Sequence, residues 1–195
     1  MVSPVVALAQ EKSGVDVPAA APQATSLPGK TLAEKRNARL DELFSALKRE
    51  RNEVKATRIA EQIQTQWQSS GSASIDLMMQ WAAAAMAEKK YAVALDFLDQ
   101  VTVLKPDFAE GWNRRATVNF LMNDYGRSMA DIQKTLALEP RHFGALAGLA
   151  AILKDTGKKE AALHAFEQVL AVYPMMREAQ KQAGELADDL TGQRT

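Results

Sequence analysis

The sequence predicts an all-α fold built from a stack of antiparallel helix pairs, and three observations carry that expectation. Beyond residue 30 the prolines are Pro106, Pro140 and Pro174, each 34 residues from the next, and each closes an apolar run: VTVLKP, TLALEP and VLAVYP. Measured from those prolines, small residues recur at two fixed places, as Ala82, Ala116 and Ala150 and again as Ala94, Ser128 and Ala162. Large apolar residues recur beside them, as Met78, Trp112 and Leu146 and as Leu98, Ile132 and Phe166. Such a period marks an array of helical hairpins, and it has to be recognised before any single-domain reading is tried.

Residues 1–30 stand apart from the array. The stretch EKSGVDVPAAAPQATSLPGK has no helical period and too little apolar surface to offset its ordering entropy, so about residues 10–30 are expected to be a disordered linker. Ahead of it, Ala7-Leu8-Ala9 followed by Gln10 has the small-x-small form of a signal-peptidase site, although no basic region precedes it and the apolar part is short. Either this is the tail of a signal peptide whose start lies upstream, or the match is chance. The expectation is a periplasmic or otherwise exported protein, with a cytoplasmic location as the alternative.

The helices then follow in order. Residues 31–74 are expected to form a degenerate hairpin capping the N-terminal end of the array. Thr31 with Glu34 three residues on is a capping-box pattern, and LDELFSALKRE and VKATRIAEQIQTQW each have a helical apolar period. Phe44, Leu47, Ala60 and Trp67 fall where the repeat wants them, whereas Lys48 takes a small-residue place and Ser72 replaces the proline. Three full units follow at 75–108, 109–142 and 143–176, starting at Ile75, Ala109 and Phe143, with second halves opening at Tyr91, Tyr125 and Lys159. Residues 177–195 suit a single capping helix with a polar outer face, Gly184 at its small position and a frayed TGQRT end.

Physical chemistry accounts for the recurring types. Helices pair with axes about 8–10 Å apart only where facing side chains are small. Proline cannot extend the second helix of a unit and so fixes the joint to the next. One hairpin cannot bury its apolar face alone, so units stack.

These positions resemble the tetratricopeptide repeat (TPR), whose W-x2-L-G-x2-Y, A-x3-F and P pattern has this length. The middle unit, WNRRATVNF followed by DYGRSMADIQKTLALEP, matches most clearly, and the third keeps Leu149, Leu153, Gly157 and Phe166. The resemblance implies a TPR solenoid, a right-handed superhelix of antiparallel helix pairs. It also implies that function lies in the concave groove lined by positions 2, 5, 9 and 12 of each first helix. Candidate peptide-binding residues on that basis are Met79, Ala83, Met86, Asn113, Thr117, Phe120, Ala147 and Ala151. Family members that hold the C-terminal carboxylate of chaperones use lysine, asparagine and arginine along this surface. Met79, Ala83, Ala147 and Ala151 do not supply that set, so an amphipathic helix or apolar segment is the expected ligand. Met78 is expected in the core, while Met79 and Met86 suit either core or groove.

Composition excludes much else. Lysine plus arginine (24) equals aspartate plus glutamate (24), so no net field draws nucleic acid, and nothing approaches the roughly 18 apolar residues of a membrane span. Cysteine is absent, and no HExxH, phosphate-binding glycine loop or nucleophile elbow occurs. His142 falls in the joint between units and is expected to be half-exposed there. His164 has no nucleophile or second histidine at helical spacing. Asp96 and Asp99 read as a solvated helix face, and Arg49, Arg51, Lys55 and Arg58, interleaved with Glu50, Glu53 and Glu61, as salt-bridged surface. The expectation is a non-enzymatic interaction module without cofactor or metal, its partner an unidentified protein or peptide. The alternative is a self-associating structural or assembly factor of the cell envelope, docking through its terminal units. The middle unit departs from the pattern at two places: Asn119 replaces an aromatic, and Arg115 replaces a leucine facing the partner helix. An unpaired buried guanidinium would be very costly, so a pair with Asp131 across the hairpin is expected.

Overall fold

The computed structural model describes residues 31–192, and these form nine α-helices with no strand among the described residues. They are α1 (Leu32–Arg49), α2 (Glu53–Gln68), α3 (Ala73–Ala87), α4 (Tyr91–Leu104), α5 (Ala109–Leu121), α6 (Tyr125–Leu138), α7 (Phe143–Asp155), α8 (Lys159–Val172) and α9 (Arg177–Gly192). The expected signal-peptidase site and linker lie outside the described residues, as do the last three of the TGQRT end, while Thr191 and Gly192 belong to α9.

The 34-residue period recurs in the backbone itself. Lys89, Asn123 and Gly157, spaced 34 apart, all have positive φ (58°, 59° and 74°) and end the first helix of each pair. Around each, the same two bonds close the helix: Lys89 N–H to Met86 O and Lys90 N–H to Ala85 O, Asn123 to Phe120 and Asp124 to Asn119, Gly157 to Lys154 and Lys158 to Leu153. This is a Schellman cap, which satisfies carbonyls that the helix end leaves open. The joints repeat as well, with Phe108, His142 and Met176 donating to Lys105, Glu139 and Tyr173.

Within a pair the small residues do what their size allows. Ala94, Ala150 and Ala162 are fully buried where helices meet. Ser128 fits the same place because its hydroxyl donates to the Ala116 carbonyl at 2.8 Å. Arg115 meets its expected partner: Nε and Nη2 donate to the two carboxylate oxygens of Asp131 at 2.9 and 2.7 Å. Nη1 reaches Asp99 Oδ1 at 2.8 Å and Thr102 Oγ1 at 3.0 Å, so Asp99, read from sequence as merely solvated, ties α4 to α5.

The N-terminal hairpin departs from the sequence reading. Its capping box is present, with Glu34 N–H donating to Thr31 Oγ1 (3.2 Å) and Thr31 N–H to Glu34 Oε2 (2.7 Å). But α1 and α2 do not stack onto α3. They fold back over the third unit, and their apolar side chains Leu40, Leu43, Leu47, Ala60 and Ile63 continue into Phe143, Leu146, Phe166 and Tyr173. The cause lies in the joint. Where the other units carry proline, this one has Ser70-Gly71-Ser72, with Gly71 at φ +79° and Ser70 N–H donating to Asp76 Oδ1 at 2.8 Å. Gly71 takes this positive φ without side-chain strain, which lets the chain change direction between α2 and α3. Charged contacts then hold the hairpin down. Arg141 donates to Asp41 at 2.7 Å and lies 4.2 Å over the Phe44 ring, and Arg177 donates to Glu53 at 2.8 Å.

Candidate functional site

The first helices α3, α5 and α7, followed by α9, line a groove that the hairpin walls along one edge. At its polar end sits Glu110, from the first turn of α5, only 6% exposed. Three donors converge on its carboxylate: Arg114 Nε on Oε1 at 2.7 Å, and Asn113 Nδ2 and His142 Nε2 on Oε2 at 3.0 and 3.1 Å. Burial alone would push the Glu110 carboxyl up. The hydrogen bond and positive potential of His142, followed by the charge and hydrogen bond of Arg114, outweigh it and hold the group below the ordinary carboxylate range.

His142 is 2% exposed, not the half-exposed joint residue that sequence position suggested. It caps α7: its Nδ1 accepts from Ala145 N–H at 3.1 Å, which assigns the proton to Nε2 and makes that nitrogen the donor to Glu110. The imidazole is stacked on the Trp67 indole, centroids 4.0 Å apart at 12°. The hairpin covers what would otherwise be an open joint. With both ring nitrogens and one face committed to structure, His142 is built as a strut between α2, α5 and α7. His164 lies exposed on α8.

The eight groove candidates fall into three neighbouring depressions and one core position. Asn113, Thr117 and Phe120 line a hollow of about 120 Å³ with Gly144 and Gly148. Phe120 also borders a larger hollow of about 290 Å³ with Ala147 and Ala151, closed by Phe166, Met176 and Ala179 and rimmed by Lys154, Asp155, Glu178 and Gln182. Met79 and Ala83 border a third, of about 360 Å³, against Gln68 and Ser69 at the end of α2. Met86 is elsewhere. It packs half-buried on Ala82, Ala85, Ala94 and Leu98, and Met79 shares that core contact. Phe120 is half-buried too, stacked on Tyr125 at 5.6 Å.

Sequence position did not reveal Gln64, Trp67 and Gln68 of α2, which wall the cleft of about 200 Å³ over Glu110, Asn113 and Thr117. Trp67 was legible as apolar core. Its contact with a residue 75 positions away in the chain, His142, leaves no local signal. Among the described residues no group of acidic, histidine or cysteine side chains has the arrangement of a metal site, and no helix is long and apolar enough to cross a membrane.

Helix pairs repeating at 34 residues around a shared groove define a helical-repeat solenoid of the kind that presents surfaces to other polypeptides. No protein-family model matches the chain. A curated relative does: the TPR repeat-containing protein of Rhizobium etli is 52% identical over 178 residues, 88% of this chain and 87% of the relative. The chain belongs to the TPR repeat-containing proteins. Solved TPR domains share the fold at low identity. The first TPR of Spaghetti (RPAP3), bound to the HSP90 peptide SRMEEVD, gives a TM-score of 0.57 at 20% identity, covering 60% of this chain and 93% of that one. The Sgt2 TPR domain from Aspergillus fumigatus gives 0.59 at 17%, covering 64% and 84%. The TPR2B domain of yeast Sti1, in its pHsp70 complex, gives 0.56 at 14%, covering 60% and 99%.

Proposed function

We propose that this chain is a non-catalytic module that binds an apolar or amphipathic segment of a partner protein along α5, α7 and α9. The observation that carries this reading is the hollow bounded by Phe120, Ala147, Ala151, Phe166, Met176 and Ala179, with charge confined to its rim. Small residues on α7 keep it open, and an aromatic forms one wall, which suits the anchors that an amphipathic helix presents at successive turns. Two solved TPR domains with this fold are described with chaperone peptides, which supports a polypeptide ligand as the class. The ligand type differs in this reading. The concave positions here carry Met79, Ala83, Ala147 and Ala151, and the polar residues Asn113 and Arg114 are already bonded to Glu110.

Selection from a randomised peptide library on the full chain tests this. Recovered peptides should carry apolar residues at helical spacing. Enrichment of acidic C-terminal tails, or of nothing, would overturn it. Export remains part of the proposal on the strength of Ala7-Leu8-Ala9; N-terminal sequencing of the protein from native cells should find a start at Gln10, and an intact Met1 contradicts it.

A further inference from the structure

Among the described residues, the fold leaves one face of the array uncovered. Positions 3, 7 and 10 of each first helix look toward the preceding unit. In the second unit these are Gly111, Arg115 and Val118: a Cβ on Gly111 would lie 2.8 Å from Val101, and Val118 is fully buried among Ala82, Ala85, Ala94 and Leu98. In the third they are Ala145, Leu149 and Ile152, packed on Ala116 and Ile132. In the first unit they are Leu77, Trp81 and Ala84. Leu77 is 43% and Trp81 48% exposed, and Ala84 is exposed as well. Phe97 of α4 stands beside Trp81 at 5.4 Å between ring centroids and is half-buried, whereas its counterparts Asp131 and Ala165 are buried. Val93, 43% exposed, extends the patch. The hairpin that precedes α3 in sequence has turned away and makes almost no contact with it.

We propose that this end face is the contact between two copies of the chain, joined front to front about a twofold axis. The proposal is independent of the groove reading. A solenoid end left in water needs a polar outer face. The other end has one, since Glu178, Lys181, Glu185, Asp188 and Asp189 of α9 are all exposed. The α3–α4 end instead presents a leucine, a tryptophan, an alanine and a phenylalanine, with no charge at these four positions to select a charged foreign partner. Head-to-tail docking would set that apolar face on the charged side of α9 and would leave every added copy with another open front. A closed front-to-front pair hides both apolar faces at once. The flank of two helices of 15 and 14 residues measures about 20 by 20 Å, about 400 Å² in projection per copy, which is the scale of a small, weak contact at the low end of specific interfaces. At the rim Glu88 and Lys90 already form a pair at 2.6 Å, so the edges carry both signs and do not repel a second copy.

Sedimentation velocity of the full chain from about 1 to 200 μM is the test, that span bracketing the affinity of a modest interface. The expected result is a mass that doubles with concentration, and Leu77→Glu or Trp81→Glu chains that stay at half that mass with unchanged helical signal. Because the chain contains no cysteine, single cysteines report geometry directly. A short bismaleimide should join Ala84→Cys chains to one another and leave Glu185→Cys chains single. A wild-type monomer throughout, which includes the case of a foreign occupant for this face, overturns the proposal. So does a dimer indifferent to both glutamates, or a cross-link between Ala84→Cys and Glu185→Cys chains.

Discussion

At Arg115 one substitution of the repeat pattern is answered by four hydrogen bonds to three partners, and the arginine lies 4.8 Å from the Trp112 ring as well. Asp131 is 4% exposed, so removing the guanidinium strands a buried carboxylate that, among the described residues, keeps the side-chain bond from Asn119 at 3.1 Å and no other. Arg115→Ala should therefore lose about 3 kcal/mol in urea unfolding, while Arg115→Leu combined with Asp131→Leu should lose less than the single change. Equal losses would mean that the stranded Asp131 carboxylate carries no cost of its own. Glu110 gives a second prediction at this scale. Its folded-state carboxyl titrates below its ordinary value of 4.5, so its stabilisation is fully present above that pH and is lost as pH falls below it. Glu110→Gln should flatten the acid limb of the stability curve in that window. A limb of unchanged slope would show that the buried cluster is not what acid breaks.

Between elements, packing depends on side chains with no room to grow. Ala94 and Ala162 are fully buried at corresponding points of two units, and Ala94→Leu or Ala162→Leu should each destabilise by about 1–3 kcal/mol through overpacking. Free tolerance of both would mean that the helix pairs are not closely apposed there. The hairpin rests on Trp67, whose buried indole N–H has no acceptor among the described residues. Such a donor costs about 1–3 kcal/mol, so Trp67→Phe should be nearly neutral in urea unfolding while Trp67→Ala loses about 3–5 kcal/mol. Large losses from both would point to an indole bond that matters. These contrasts explain what the sequence could convey. The three units, their helix starts at Tyr91, Tyr125 and Lys159, and the Arg115–Asp131 pair were legible because each depends on spacing within one repeat. The course of α1 and α2 was not. Their apolar period fits either stacking on α3 or folding back, and the choice rests on Gly71 and on Arg141, His142 and Tyr173, remote in the chain. His142 was misplaced for the same reason, since its burial is supplied by Trp67.

Across the whole molecule, the turned-back hairpin divides the surface by task. It walls the polar end of the groove, where Glu110, Asn113, Arg114 and His142 satisfy one another, and it leaves the α5–α7–α9 end open and apolar. Of the groove candidates, Met86 belongs to the first unit's core and Phe120 serves both packing and surface, so their loss would confound affinity with stability. Ala151 separates the two, because it lines the hollow from the middle of α7. The direct measurement is the affinity of the best library-selected peptide for the wild-type chain and for Ala151→Glu, read by fluorescence anisotropy alongside each chain's thermal midpoint. Binding in this hollow predicts an affinity at least about 10-fold weaker for Ala151→Glu, equivalent to about 1.4 kcal/mol, at an almost unchanged midpoint. An unaltered affinity at an unaltered midpoint would place the binding surface elsewhere and contradict it.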